Sequence, residues 1–184
     1  SSAASDVYKR QVQKVLLEIP ELKIKKELTT DTKGYASFEI KTKPILWSTE
    51  NPYLYQVSLI TNTDKVQDKI GFRTIETKGR QILLNGKPVF LKGISIHEEA
   101  PFRSGRICSE EENQTLLNWA KELGCNYVRL AHYPHNEKMV RLAEKMGLMV
   151  WSEIPVYWTI QWDNEDTYQN AHNQLIAVSY THLT

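Results

Sequence analysis

Asn126-Tyr127-Val128-Arg129-Leu130-Ala131-His132-Tyr133-Pro134 is the stretch that decides the fold of this chain. A short apolar, β-type run ends here in an Arg and a His, just after a helix-like segment. In a strand–helix repeat, polar residues at the C-terminal end of a strand are where a (β/α)8 barrel keeps its active site. Upstream, residues 89–96 form a second run of this kind, ending in His97-Glu98. Downstream, 148–152 form a third, ending in Glu153. Three successive strand ends that offer His-Glu, Arg/His and Glu read as part of a polyol or sugar pocket.

The segments between these runs are helical in pattern. Ser109 with Glu112 three residues on makes a capping box. Leu116, Leu117, Trp119, Ala120 and Leu123 then give an apolar face, and Gly124 closes it. A second helix starts at Asn136, with Met139, Val140, Leu142, Ala143 and Met146 on one side and Gly147 as its stop. Asp163 is set to cap a third, running through Leu175; the Asn164-Glu165 pair then falls at a helix start, where acidic residues suit the dipole. Strand, helix, strand, helix, strand, helix is a βαβ series with a parallel sheet.

Before Lys78-Gly79 the grammar is different. Residues 12–19, 22–28, 35–40, 53–60 and 65–75 alternate apolar and polar side chains, punctuated by Gly34, Pro44 and Asn51-Pro52. That spacing suits an antiparallel sandwich. Trp47, Tyr53, Leu54 and Tyr55 are expected to supply its aromatic core. Residues 81–84 and 89–91 flank Asn85-Gly86, a strong hairpin signal. The expected fold class is therefore mixed. An antiparallel immunoglobulin-like β-sandwich over 12–77 is followed, over 78–177, by the first three β/α units of an incomplete TIM (β/α)8 barrel.

Composition excludes more than it selects. With 23 basic and 22 acidic residues the formal charge is +1 over 184 residues, so no nucleic-acid or anionic-membrane footprint is expected. No apolar run approaches the roughly 18–20 residues that span a bilayer. Cys108 and Cys125 form no CxxC and no zinc spacing; Cys125, opening an apolar strand, reads as a buried reduced thiol. Residues 1–11 have no periodicity and no signal-peptide core, and 178–184 interrupt a helical pattern. Both ends resemble translated sequencing-adapter read-through and are expected to be non-native tails on a gene fragment. The sequence does not choose between a cytoplasmic and a periplasmic address.

These residues resemble family 2 glycoside hydrolases, the β-galactosidase and β-glucuronidase group. The resemblance covers about 12–175. It rests on Ile70-Gly71-Phe72-Arg73, Leu83-Leu84-Asn85-Gly86-Lys87-Pro88, Lys92-Gly93 with His97-Glu98, Asn126 to Pro134, and Gly147-Leu148-Met149-Val150-Trp151. Leu130 stands where the family usually has a small residue, and Glu144 where it has Asp or Asn. The resemblance implies that Arg129 hydrogen-bonds the nucleophilic carboxylate and keeps it ionised, and that His132 contacts the sugar. It also implies that His97 lines the same pocket and that Glu153 lies at the pocket floor.

The residues also have plainer readings. Arg129 could serve as a barrel-mouth salt bridge to Glu153 or Glu98. Glu98, Tyr157 and Trp158 are weaker candidates; Tyr157, Trp158 and Trp162 suit sugar stacking but more often such aromatics pack a loop. His135 is expected to face solvent at a helix start. A retaining glycosidase needs two carboxylates about 5 Å apart. The family's acid/base and nucleophile follow its fourth and seventh barrel strands, so the resemblance puts both beyond Thr184. The full-length parent is then expected to hydrolyse terminal β-galactosides, with β-glucuronides or β-mannosides as alternatives, and this chain to be inactive alone. No metal or cofactor is implied, and a homo-oligomeric parent is compatible with the resemblance. The reading from another class is a non-catalytic carbohydrate-binding β-sandwich protein, which would have no use for the Arg129/His132 strand end.

Overall fold

The computed structural model describes residues 12–156, 160–161 and 163–182. The candidates Tyr157 and Trp158, and Trp162, lie outside the described residues, as do 1–11 and the last two positions. Contacts divide the chain into two units: residues up to 45 with 54–70, and 46–53 with 71 onward.

The first unit is built on β1 (Lys14–Ile19), β2 (Ile24–Thr29), β3 (Tyr55–Ile60) and β4 (Lys65–Ile70). All neighbours are antiparallel, in the order β2-β1-β3-β4. A 3₁₀ turn at Pro20–Leu22 ends with Lys23 in the left-handed region (φ 56°), which reverses the chain between β1 and β2. Leu22, expected in a strand, belongs to that turn. The expected strand over 35–40 is not a strand. Asp31 Oδ1 accepts from the amides of Lys33 and Tyr35, so the chain turns here, and Tyr35 and Ile40 are 62% and 48% exposed. Alternation supplied β propensity at 35–40, but no neighbouring strand pairs with it. Among the described residues the sandwich region thus contributes one four-stranded sheet.

The second unit begins with a meander, β5 (Ile75–Lys78), β6 (Gln81–Leu84) and β7 (Lys87–Val89). Asn85 and Gly86 both take positive φ (52° and 75°), as a two-residue hairpin that follows the strand twist requires. Then follow β8 (Gly93–Ile96), α1 (Glu110–Glu122), β9 (Tyr127–Leu130), α2 (Glu137–Lys145), β10 (Met149–Ser152) and α3 (Glu165–His182). The last three strands are parallel in the order β10-β9-β8. Strand parity puts Ile94, Ile96, Val128, Leu130 and Val150 on the helix side, where they join Leu117, Ala120, Met139, Leu142, Ala143 and Leu148. Cys125 is buried in the same core.

The helix starts follow local chemistry. Ser109 Oγ accepts from the Glu112 amide, while the Glu112 carboxylate takes the Cys108 amide and Arg103. Asn136 caps α2 by accepting from the Lys138 amide. For α3 the cap is Asn164, which accepts from the Thr167 amide, and not Asp163 as expected. This helix also continues to His182 through the segment expected to interrupt it, and Val178 is buried. No Gly or Pro lies between Val178 and His182, so nothing local stops its propagation. No helix of the described residues is long and apolar enough to cross a membrane.

Trp47, expected in the sandwich core, packs in the second unit instead. It is 2% exposed, and its Nε1 donates to the Glu144 carbonyl at 2.9 Å. The Arg73 guanidinium lies 4.7 Å over its ring and also bonds Glu144 Oε1 at 2.5 Å. Asn85 Nδ2 donates to the Trp47 carbonyl. Glu144, a departure from the family pattern, is thus the acceptor that ties Arg73 to α2.

Candidate active site

β8, β9 and β10 end side by side because Ile96, Leu130 and Ser152 share one register. The residues that follow or precede these positions therefore meet at one end of the sheet. Ser95, Arg129 and Trp151 are register partners on the face away from the helices, with Tyr127 two residues earlier on the same face. Gly93 is required beneath Tyr127: a Cβ there would lie 2.2 Å from Tyr127 Cδ1 and 2.5 Å from its carbonyl oxygen.

Arg129 grips Glu153 with a fork, Nε to Oε1 at 2.5 Å and Nη2 to Oε2 at 3.2 Å. The His132 main-chain amide donates to the same Oε2 at 2.6 Å. The guanidinium beside it, then the His132 amide, hold the Glu153 carboxyl below the usual range, against the opposing effect of burial. Glu153 in turn raises the Arg129 pKa. Of the two plain partners open to Arg129, Glu153 is the one it takes. The fork uses two of the five guanidinium donors, and the side chain is 42% exposed.

His132 takes φ 75°, a left-handed conformation uncommon outside Gly and costly unless surrounding contacts impose it. The Glu153 bond to its amide is one such contact. The His132 ring meets the His97 ring edge to face, centroids 4.9 Å apart and planes at 74°. His132 Nδ1 is 3.9 Å from Glu153 Oε2. The four main candidates, His97, Arg129, His132 and Glu153, are thus brought to one strand-end cluster.

Glu98 is close by but is not an open pocket carboxylate. It is 4% exposed; Oε1 accepts from the Asn136 amide at 2.6 Å, and Oε2 pairs with Arg106 Nη2. Its own amide donates to Tyr133 Oη at 3.2 Å. His135 was expected to face solvent and is instead 2% exposed. Its ring stacks on Tyr133 at 5.2 Å, with Nε2 3.2 Å from the Ala131 carbonyl, and burial lowers its pKa. The loop before α2 folds back over the strand end, which position near a helix start does not reveal. Sequence reasoning missed Tyr127, Tyr133 and Arg106. The i, i+2 parity with Arg129 could have found Tyr127; the other two depend on the loop fold. Among the described residues no cluster of His, Cys, Asp or Glu could hold a metal ion.

A family model described as glycosyl hydrolases family 2, TIM barrel domain, matches residues 75–180, and a second, glycosyl hydrolases family 2, matches 5–73. A β-glucuronidase of Streptococcus agalactiae is 39% identical over 121 residues, covering 63% of this chain and 20% of the relative. A β-galactosidase of Alteromonas mediterranea is 35% identical over 128 residues, covering 66% of this chain and 12% of the relative. The crystal structure of a family 2 β-galacturonidase from Eisenbergiella tayi, bound to galacturonate, superposes with a TM-score of 0.76 at 27% identity, covering 94% of this chain and 33% of that one. This chain therefore spans a fifth or less of the two curated relatives' length. It carries a β-sandwich region followed by a partial TIM-barrel region, and it belongs to glycosyl hydrolases family 2.

Proposed function

We propose that this chain is part of a retaining β-glycosidase acting on terminal β-galactosides, and that its three strand ends form the sugar-positioning side of the active-site mouth. The observation that carries this reading is the Arg129–Glu153 fork, with the His132 amide bonded to the same carboxylate and its ring edge to face with His97. Sugar hydroxyls are recognised by planar, charged donors and acceptors held in a fixed geometry. Bonds that tighten on an oxocarbenium-like transition state raise the rate.

In this reading Glu153 anchors and does not react. A carboxyl held below its usual pKa by a guanidinium cannot serve as the proton donor near neutral pH. We assign the acid/base and the nucleophile to glutamates outside this chain, with Arg129 Nη1 available to a further carboxylate. Relatives named β-glucuronidase as well as β-galactosidase make β-glucuronides the second substrate class.

The test is saturation-transfer NMR of the chain with methyl β-galactoside and methyl β-glucuronide, in parallel with Arg129→Ala and His132→Ala. Transfer to one sugar, lost in both variants, is expected and identifies the class. Absence of transfer to either sugar would sink the proposal. Nitrophenyl β-galactoside should not be turned over by the chain alone; turnover that vanishes in Arg129→Ala would show that the reacting carboxylates are within it.

A further inference from the structure

We propose that Glu98 is a positioning residue: by tying the segment that follows β8 to the loop that follows β9, it sets the His97–His132 ring pair. A buried carboxylate is costly unless it is paired and hydrogen-bonded. Glu98, 4% exposed, is compensated by Arg106 on one oxygen and the Asn136 amide on the other. A cap for α2 would be the simple purpose, but α2 already has one: Asn136 Oδ1 accepts from the Lys138 amide at 2.9 Å. What Glu98 adds is a tie between two strand ends. It follows His97 directly, so its anchoring fixes where β8 delivers that ring. Its amide bonds Tyr133 Oη and its Oε1 bonds the Asn136 amide, two points on the loop that carries His132.

His132 is thereby bracketed. Glu153 holds its amide on the strand side, and Glu98 holds the residues that follow it. Arg106 closes the arrangement from the solvent side, its guanidinium 5.7 Å over the Tyr133 ring. The left-handed φ at His132 is what such a two-sided hold can impose and a single bond cannot.

The functional consequence rests on the reading of His97 and His132 as sugar contacts; the geometry does not. The test therefore uses no sugar. In the chain labelled at histidine, the wild type is expected to give a cross-ring NOE between His97 and His132. E98Q keeps an acceptor for the Asn136 amide but loses the ionic partner of Arg106, and it should weaken this NOE and shift both rings. E98A should abolish it. His172, stacked on Tyr168 in α3, should not move in either. A merely stabilising Glu98 would lower the melting temperature and leave the two rings as they are. Wild-type shifts and NOE at His97 and His132 in folded variants would overturn the proposal, as would a wild type without the NOE. If E98A does not fold, E98Q decides. A chain that passes this test and binds no sugar would refute the functional reading alone.

Discussion

In the antiparallel sheet β2-β1-β3-β4 the buried apolar side chains are Ile19, Ile24 and Tyr55, whereas the parallel sheet β10-β9-β8 and its helices enclose a ten-residue core. Leu59 and Val66, paired across β3 and β4, stay 41% and 56% exposed. The face that buries Ile19, Ile24 and Tyr55 at one end is open at the other, at Leu59 and Val66; in the parallel sheet the helix-side face is closed. Period-2 alternation makes a sheet but does not supply its second layer. A βαβ unit brings its own layer, because the crossover helix must lie on the sheet it connects.

The largest expected effect tests this contrast directly. Leu117 is fully buried, so Leu117→Ala should cost about 3 kcal/mol in denaturant unfolding, while Leu59→Ala should stay below about 1 kcal/mol. Equal losses would break the comparison. Gly93→Ala comes next: the new methyl meets Tyr127 backbone and ring, and about 2 kcal/mol of overpacking is expected. A neutral result would mean that β8 and β9 are not as close as described.

Acidification sharpens the contrast at the site. The folded pKa of Glu153 is depressed, first by Arg129. The stability it contributes is therefore present above the unfolded value, about 4.3, and is lost as pH falls through the lower folded value. Thermal melts at stepped pH should show this acid limb flattened in Glu153→Gln; an unchanged limb would place the stabilising carboxylate elsewhere. The smallest effect belongs to the exposed Lys14–Glu27 pair on the antiparallel sheet. Its side chains are 73% and 66% exposed, and Lys14→Ala should change stability by less than about 0.5 kcal/mol.

Much of the second unit was legible because its signals are short-range. Ser109 and Asn136 as caps, Gly124 and Gly147 as stops, and Asn85-Gly86 as a hairpin each act within a few residues. The strand ends at His97, Arg129 and Glu153 followed from those boundaries. Alternation at 35–40 misled because β propensity without a partner strand does not make a strand. The α3 cap was misplaced by one residue, since Asp163 and Asn164 are both good caps and only the backbone selects between them.

By itself, then, the sequence determined the order of strands and helices after Lys78, and which end of the parallel sheet is polar. Those properties depend on dihedral preferences and on bonds between near neighbours. Only the tertiary structure decided that Trp47 caps α2 across 97 positions, that Glu98 reaches the Asn136 amide across 38, and that Arg129 chooses Glu153 across 24. It alone buried His135. A hydrogen bond between distant residues depends on how the intervening chain packs, and no local pattern encodes which of several available carboxylates a guanidinium will meet.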